Sequence, residues 1–243
     1  MAQTDSLDLR IIENAERAAA ECAEFILATL VEVRSTQGRA SLAISGGSSP
    51  KAMFADMAQA AFDWTNIHFF WVDERCVPPT DKESNYKMAH DALLGPAHID
   101  PDNIHRIYGE IPPPEAAAKY VEDISTYFHL PPGELPSFDI LHRGMGPDAH
   151  TASLFPGSPL VDDRQNIATD VWVEKFKMYR VTLLPGVLER AKRTVLQVVG
   201  ADKAEALQKV LHGPRDVKQY PCQIASRGPH VSWFLDRAAA SKL

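Results

Sequence analysis

Short apolar runs alternate with amphipathic stretches along almost the whole chain. Ala40–Ile44 and residues 67–72, 194–199 and 231–235 are near-continuous apolar segments bounded by turn residues, the pattern of strands buried on both faces. Residues 138–141 and 103–108 read the same way, and 179–184 is a strand pattern interrupted by one charge, Arg180. Between these runs the apolar period lengthens. Ile12, Ala15, Ala19, Cys22, Ala23, Ile26, Leu30 and Val33 fall on one helical face. Further helices are expected over 51–61, from Glu83 to Leu94 with Ser84 or Asn85 as cap, over 115–128, 185–192 and 201–211, and in a short alanine-rich stretch at 237–242. Strands alternating with helices predict an α/β fold, a mainly parallel sheet with helices on both faces and loops gathered at one edge. No linker, repeat or low-complexity tract divides the chain, so residues 1–243 read as one domain.

The residues with chemical potential sit where the expected strands end. The first buried run leads into Ser45-Gly46-Gly47-Ser48-Ser49-Pro50. Two glycines let the backbone approach a ligand, Ser49 suits a helix cap, and Pro50 suits the first helical position. A helix N-terminus there would aim unpaired N–H groups and the positive end of its dipole at an anion, although a plain strand-to-helix turn explains the same residues. The loop lacks the Gly-Lys-Ser/Thr of a P-loop, so a nucleoside triphosphate is not indicated.

The run 67–72 ends in Asp73-Glu74-Arg75, which are either solvated loop charges or groups reaching over the same edge. Arg75 is favoured among them, because its guanidinium matches a phosphate or carboxylate at two points. The stretch Gly144-Met145-Gly146-Pro147-Asp148-Ala149-His150 reads as an active-site loop after a strand. Arg180 is either the solvent-facing alternate of its strand or a ligand contact. Lys203 lies in the first turn of its expected helix, where a cation opposes the dipole unless an anion is bound.

Composition narrows the partners. Lys and Arg total 25 against 32 Asp and Glu, a net charge of −7, which argues against bulk attraction to nucleic acid or an anionic membrane. Any anionic ligand must be held by a few local cations. The three cysteines are widely spaced and contain no CxxC pair, so neither a disulfide framework nor a zinc site is suggested and a cytoplasmic setting is expected. Residues 1–10 lack the apolar core of a signal peptide, and the most apolar helical stretch is broken by Glu24 and Glu32.

Read together, Ser45-Gly46-Gly47-Ser48-Ser49-Pro50, Asp73-Glu74-Arg75 with Val77-Pro78 and Ser84-Asn85, and Gly144-x-Gly-x-Asp148-x-His150-Thr-Ala-Ser-Leu-Phe-Pro-Gly resemble the 6-phosphogluconolactonases. The resemblance extends to Arg180-Val-Thr-Leu, Gly200-Ala-Asp-Lys203-Ala and Trp233-Phe-Leu-Asp-Arg-Ala-Ala, in the expected order over nearly the whole chain. It implies a Rossmann-like parallel sheet, shared with glucosamine-6-phosphate deaminases, and hydrolysis of 6-phospho-D-glucono-1,5-lactone without metal or organic cofactor. By position, His150 would be the general base and Asp148 its neighbour, with Gly46, Gly47, Ser48, Asp73, Arg75, Arg180 and Lys203 contacting the sugar phosphate.

Two alternatives stay open at this level, an aminosugar-phosphate deaminase or isomerase on the same fold and a sugar-phosphate-binding regulator without catalysis. The oligomeric state is not readable. Two departures from the family pattern stand out: Ala149 replaces a glycine, and His142-Arg143 replaces apolar residues. If position 149 requires a left-handed backbone, alanine there costs about 1 kcal/mol or more.

Overall fold

The computed structural model describes residues 7–243, apart from the Ser48 side chain. Residues 1–6, part of the stretch read for its lack of an apolar leader, lie outside the described residues.

The buried runs form β2 (Ala40–Ile44), β3 (Ile67–Trp71), β6 (Ile140–Arg143), β9 (Thr194–Val198) and β10 (Val231–Asp236). With β1 (Asp8–Ile12) and the two-residue β5 (Ile104–His105) they make one seven-stranded sheet in the order β1-β10-β9-β6-β2-β3-β5. Every strand pair in it is parallel. The helices are α1 (Ala15–Gln37), α2 (Ser48–Gln59), α3 (Asn85–Ala89), α4 (Pro113–Phe128), α5 (Pro185–Arg190) and α6 (Ala204–His212).

Alternation along β10 shows how both faces are covered. Phe234 packs on Phe25 of α1, with ring centroids 5.4 Å apart. Its neighbours Trp233 and Leu235 point the other way, into a separate apolar cluster with Leu207, Val210 and Leu211 of α6. A parallel sheet buried on both sides needs helices on both sides, and the sequence supplies them.

A second, antiparallel sheet, β4 (Asp73–Arg75), β8 (Met178–Leu183) and β7 (Ala168–Val173), was not anticipated. The chain leaves the parallel sheet after Trp71. Val72 bridges the two sheets, its N–H donating to Ile44 O at 2.8 Å and its carbonyl accepting from Leu183 N–H at 2.8 Å. The expected loop at Asp73-Glu74-Arg75 is therefore a short strand, with Arg75 directly opposite Arg180 in register.

Other boundaries also shift. Ile12 ends a strand rather than starting a helix, because β1 is an edge strand with charged alternates and little apolar signal. α2 begins at Ser48 with Gly47 in the cap position, so Ser49 is not the cap and Pro50 is the third residue of the helix. Ala201–Lys203 is a separate 3-10 turn before α6. The alanine-rich C-terminal stretch forms turns, tied down by Asp236, whose carboxylate accepts from Ala239 N–H at 2.7 Å. From Asn85, α3 runs into a π-helical turn at His90–Leu94, and Ser84 is its cap, accepting from Lys87 N–H at 3.1 Å.

Tyr120 joins α4 to the sheet. Its buried hydroxyl accepts from Trp71 N–H at 2.8 Å and donates to Trp71 O at 2.6 Å, at a residue that is in register with Ile44 of β2 but lies beyond the pairing with β5. Tyr120→Phe leaves both groups buried and unpaired. A loss of about 1–3 kcal/mol is expected. Thermal unfolding should show a melting temperature lower by several degrees, and an unchanged one would contradict this role.

Candidate active site

In the parallel sheet β2 and β6 are neighbours, but the chain proceeds from β2 outward to β3 and from β6 toward β9. Loops leaving the carboxyl ends of such strands diverge and open a crevice. A cavity of about 620 Å³ occupies that place. Gly46, Gly47, Asp73, Arg75, His150, Arg180 and Lys203, all expected as site residues, line it. Asp148 stands behind His150, and the Ser48 side chain lies outside the described residues.

The loop from β2 to α2 is shaped by its glycines. Gly47 has φ 113°, which a side chain would strain, and α2 has no side-chain cap. The first turn of such a helix lacks intrahelical acceptors for its N–H groups, and here Gly47, Ser49 and Pro50 at that end line the cavity. Gly46 yields its side-chain space to Asn85, since a Cβ there would lie 1.8 Å from Asn85 Oδ1. Asn85 Nδ2 donates to Asp73 O at 2.8 Å, so this one amide locks the glycine loop to β4.

Of the charges of β4, Asp73 and Glu74 are buried and Arg75 is half-buried. Glu74 is a hub: its carboxylate accepts from the N–H groups of Arg75, Asn85 and Tyr86 at 2.7–2.8 Å and from Ser84 Oγ at 3.0 Å. It holds the start of α3 against β4 and faces no ligand. Asp73 accepts from Ser153 Oγ at 2.6 Å and lies 3.6 Å from Arg180 Nη1. Arg180 is therefore not the solvent-facing alternate of its strand. It is 5% exposed, and burial lowers its pKa against the opposing pull of Asp73. Its guanidinium sits 4.8 Å from the Phe176 ring centroid and 5.7 Å from that of Phe155. Arg75 donates from Nη1 to Glu83 O.

His150 sits in a turn closed by Ala149 N–H to Gly146 O at 3.0 Å and Gly146 N–H to His150 O at 2.9 Å. Its Nδ1 lies 2.5 Å from Asp148 Oδ1, and its ring stacks on Phe155 at 4.2 Å between centroids. A carboxylate only accepts, so the neutral imidazole carries its proton on Nδ1 and its lone pair on Nε2. Nε2 has no protein partner among the described residues. Partial burial alone would raise the Asp148 carboxyl, but hydrogen bonds from His150 and from Lys175 Nζ, at 2.8 Å, outweigh it and hold the group well below the usual carboxylate range.

Gly146 makes room for this arrangement: a Cβ there would lie 2.0 Å from His150 Nδ1. Ala149 has φ 64°, so position 149 does require the left-handed backbone considered for it. Its side chain is fully buried among Leu196, Val198, Cys222 and Trp233, and that packing offsets part of the backbone cost.

Arg143 fastens the loop from below. Fully buried, it donates to Thr151 Oγ1 at 3.1 Å and to the carbonyls of Ile224 and Ala225. His142 is also fully buried, and burial pushes its pKa down to about 4. On the far side, Lys203 Nζ pairs with Asp202 at 2.6 Å. Among the described residues there is no cluster of three or more side chains suited to holding a metal ion.

Sequence reasoning missed Lys175, Asn85 as a lock, Glu74 as a hub and the Phe155–Phe176 wall. Asn85 and Glu74 lay inside motifs already singled out. Lys175 sits in a stretch of mixed charges and aromatics that carries no local signal of its role.

The sequence profile of the family described as Glucosamine-6-phosphate isomerases/6-phosphogluconolactonase matches residues 13–233. A 6-phosphogluconolactonase of Nostoc sp. is 36% identical over 221 residues, covering 90% of this chain and 91% of that protein. One of Haemophilus influenzae is 36% identical over 207 residues, covering 83% and 87%. The solved 6-phosphogluconolactonase of Trypanosoma cruzi, 24% identical, shares the fold with a TM-score of 0.88 over 100% of this chain and 99% of that one.

Because the folded Asp148 pKa is depressed, its contribution to stability is full above the ordinary value of 3.8 and is lost as pH falls from there toward the depressed value. Urea unfolding at pH 5 and pH 3 should therefore show a smaller acid-induced loss for Asp148→Asn than for the unmodified protein. Equal losses would contradict the pairing. Gly146→Ala should displace the imidazole, seen as a changed His150 side-chain NMR signal with the fold intact, and an unmoved signal would overturn that contact.

Proposed function

The chain belongs to the family of glucosamine-6-phosphate isomerases and 6-phosphogluconolactonases, and from that premise we propose that it hydrolyses 6-phospho-D-glucono-1,5-lactone to 6-phospho-D-gluconate, with His150 as the general base. The reaction is the lactone-opening step of the oxidative pentose phosphate pathway. A cytoplasmic setting accords with three cysteines that are all unpaired thiols.

The observation that carries the reading is the free Nε2 of a His150 whose Nδ1 is held by Asp148, on a cavity whose walls hold Arg180, Lys203 and the uncapped start of α2. A lactone is an activated ester. Water need only be deprotonated as it attacks C1, which a neutral imidazole can do. Asp148 stabilises the imidazolium formed, and that imidazolium then returns the proton to the departing ring oxygen.

The phosphate of the substrate carries a charge of roughly −1.5 to −2 at neutral pH. In a chain of net charge −7, Lys203, Arg180 and the α2 N–H groups are the local counterweight. Anchoring the phosphate away from C1 turns remote binding into orientation of the reacting carbon. Asp73 is engaged by Ser153 and Arg180, and His150 is followed by Thr151-Ala152-Ser153 with no carboxylate. Both features speak against a proton-shuttling isomerase. They also remove a Ser153–His150 nucleophile pair, since the serine hydroxyl is spent on Asp73.

His150→Ala should lower lactone turnover by about 10²–10⁴-fold. It should bind 6-phosphogluconate as before by calorimetry. Retained turnover, or release of ammonia from glucosamine 6-phosphate by the unmodified protein, would overturn the reading. Lys203→Ala should raise KM for the lactone more than it lowers kcat; the opposite split would remove it from the phosphate site.

A further inference from the structure

Asp148 is shared. One oxygen meets His150 Nδ1, while the other meets Nζ of Lys175, which lies in the 3-10 turn Glu174–Phe176 between β7 and β8. We propose that Lys175 is a positioning residue that tunes the basicity of His150 and latches the β7–β8 turn over the site. The proposal rests on the reading of His150 as the base.

The physical argument is one of competition. An ionised Asp148 alone would favour the protonated imidazole and so raise the pH needed to free Nε2. An ammonium on the opposite carboxylate oxygen draws on the same negative charge and adds a positive one nearby, which favours the neutral ring. It also occupies the second oxygen, so the carboxylate cannot rotate away from Nδ1. The same turn carries Phe176, which lines the cavity beneath the Arg180 guanidinium and meets Phe155 edge-on at 5.9 Å. A broken latch therefore loosens the wall that bears Arg180 as well as the base.

Lys175 is half exposed, so its replacement leaves no buried charge behind. The neighbouring acid Glu174 is engaged by Lys177 and Trp172 and offers Lys175 no alternative partner. The other charged groups on the cavity, Asp73, Arg75, Glu83, Arg180 and Lys203, are untouched by the substitution.

The test is the pH dependence of kcat/KM for Lys175→Met and Lys175→Arg, with a direct NMR titration of the His150 ring assigned by its loss in His150→Gln. In Lys175→Met both the acid limb of kcat/KM and the ring titration should move to higher pH, whereas Lys175→Arg should keep both near the unmodified positions. Lower turnover with both positions unchanged would leave Lys175 a merely structural residue and overturn the proposal, as would a shift downward. A moved ring titration with an unmoved acid limb would uphold the tuning and instead contradict His150 as the base.

Discussion

The site depends on one contact, the pairing of His150 Nδ1 with Asp148, two residues apart within the turn 146–150. It decides which nitrogen holds the proton, and so which one faces the cavity as a lone pair. The turn can form only because position 146 has no Cβ to collide with the ring and position 149 adopts a left-handed backbone. Alanine at 149 tolerates that conformation at a cost of about 1 kcal/mol, which its fully buried side chain partly offsets. Arg143 and the carbonyls it reaches on residues 224 and 225 then hold the turn against the body of the protein.

A second constraint is electrostatic. The protein is acidic overall, yet its cavity gathers Arg75, Arg180, Lys203 and an uncapped helix start. Two of these cations are held by carboxylates of the protein, Arg180 beside Asp73 and Lys203 beside Asp202. Such partners keep the groups in place before a ligand arrives. Glu74 does the equivalent for the backbone, taking donors from both β4 and the start of α3 so that the strand end and that helix keep one geometry.

Much of this was legible in the chain. The buried strands announced themselves by apolar runs, with β2 at its observed bounds, because a strand covered on both faces has no polar alternates to blur the signal. The glycine loop, Asp148-x-His150, Arg75, Arg180 and Lys203 were readable as pieces, and the fold brings them to one cavity. What escaped was set by tertiary pairing. β4 is three charged residues, and only Arg180 and its neighbours on β8, far along the chain, make it a strand. β1 is an edge strand with polar alternates, and Lys175 gains meaning only from a contact spanning the two loops. The alanine-rich end has helical propensity but too few residues to nucleate a helix, so the Asp236 carboxylate shapes it into turns.

The central claim is that the neutral form of the His150 imidazole carries its proton on Nδ1, beside Asp148, and turns its Nε2 lone pair to the cavity. The most direct measurement is nitrogen NMR of ring-labelled histidine, with His150→Gln assigning the signal, at a pH where the ring is neutral. The account predicts the Nδ1–H form in the unmodified protein and a change in the balance of the two forms in Asp148→Asn. A dominant Nε2–H form in the unmodified protein, or one indifferent to Asp148, would contradict it.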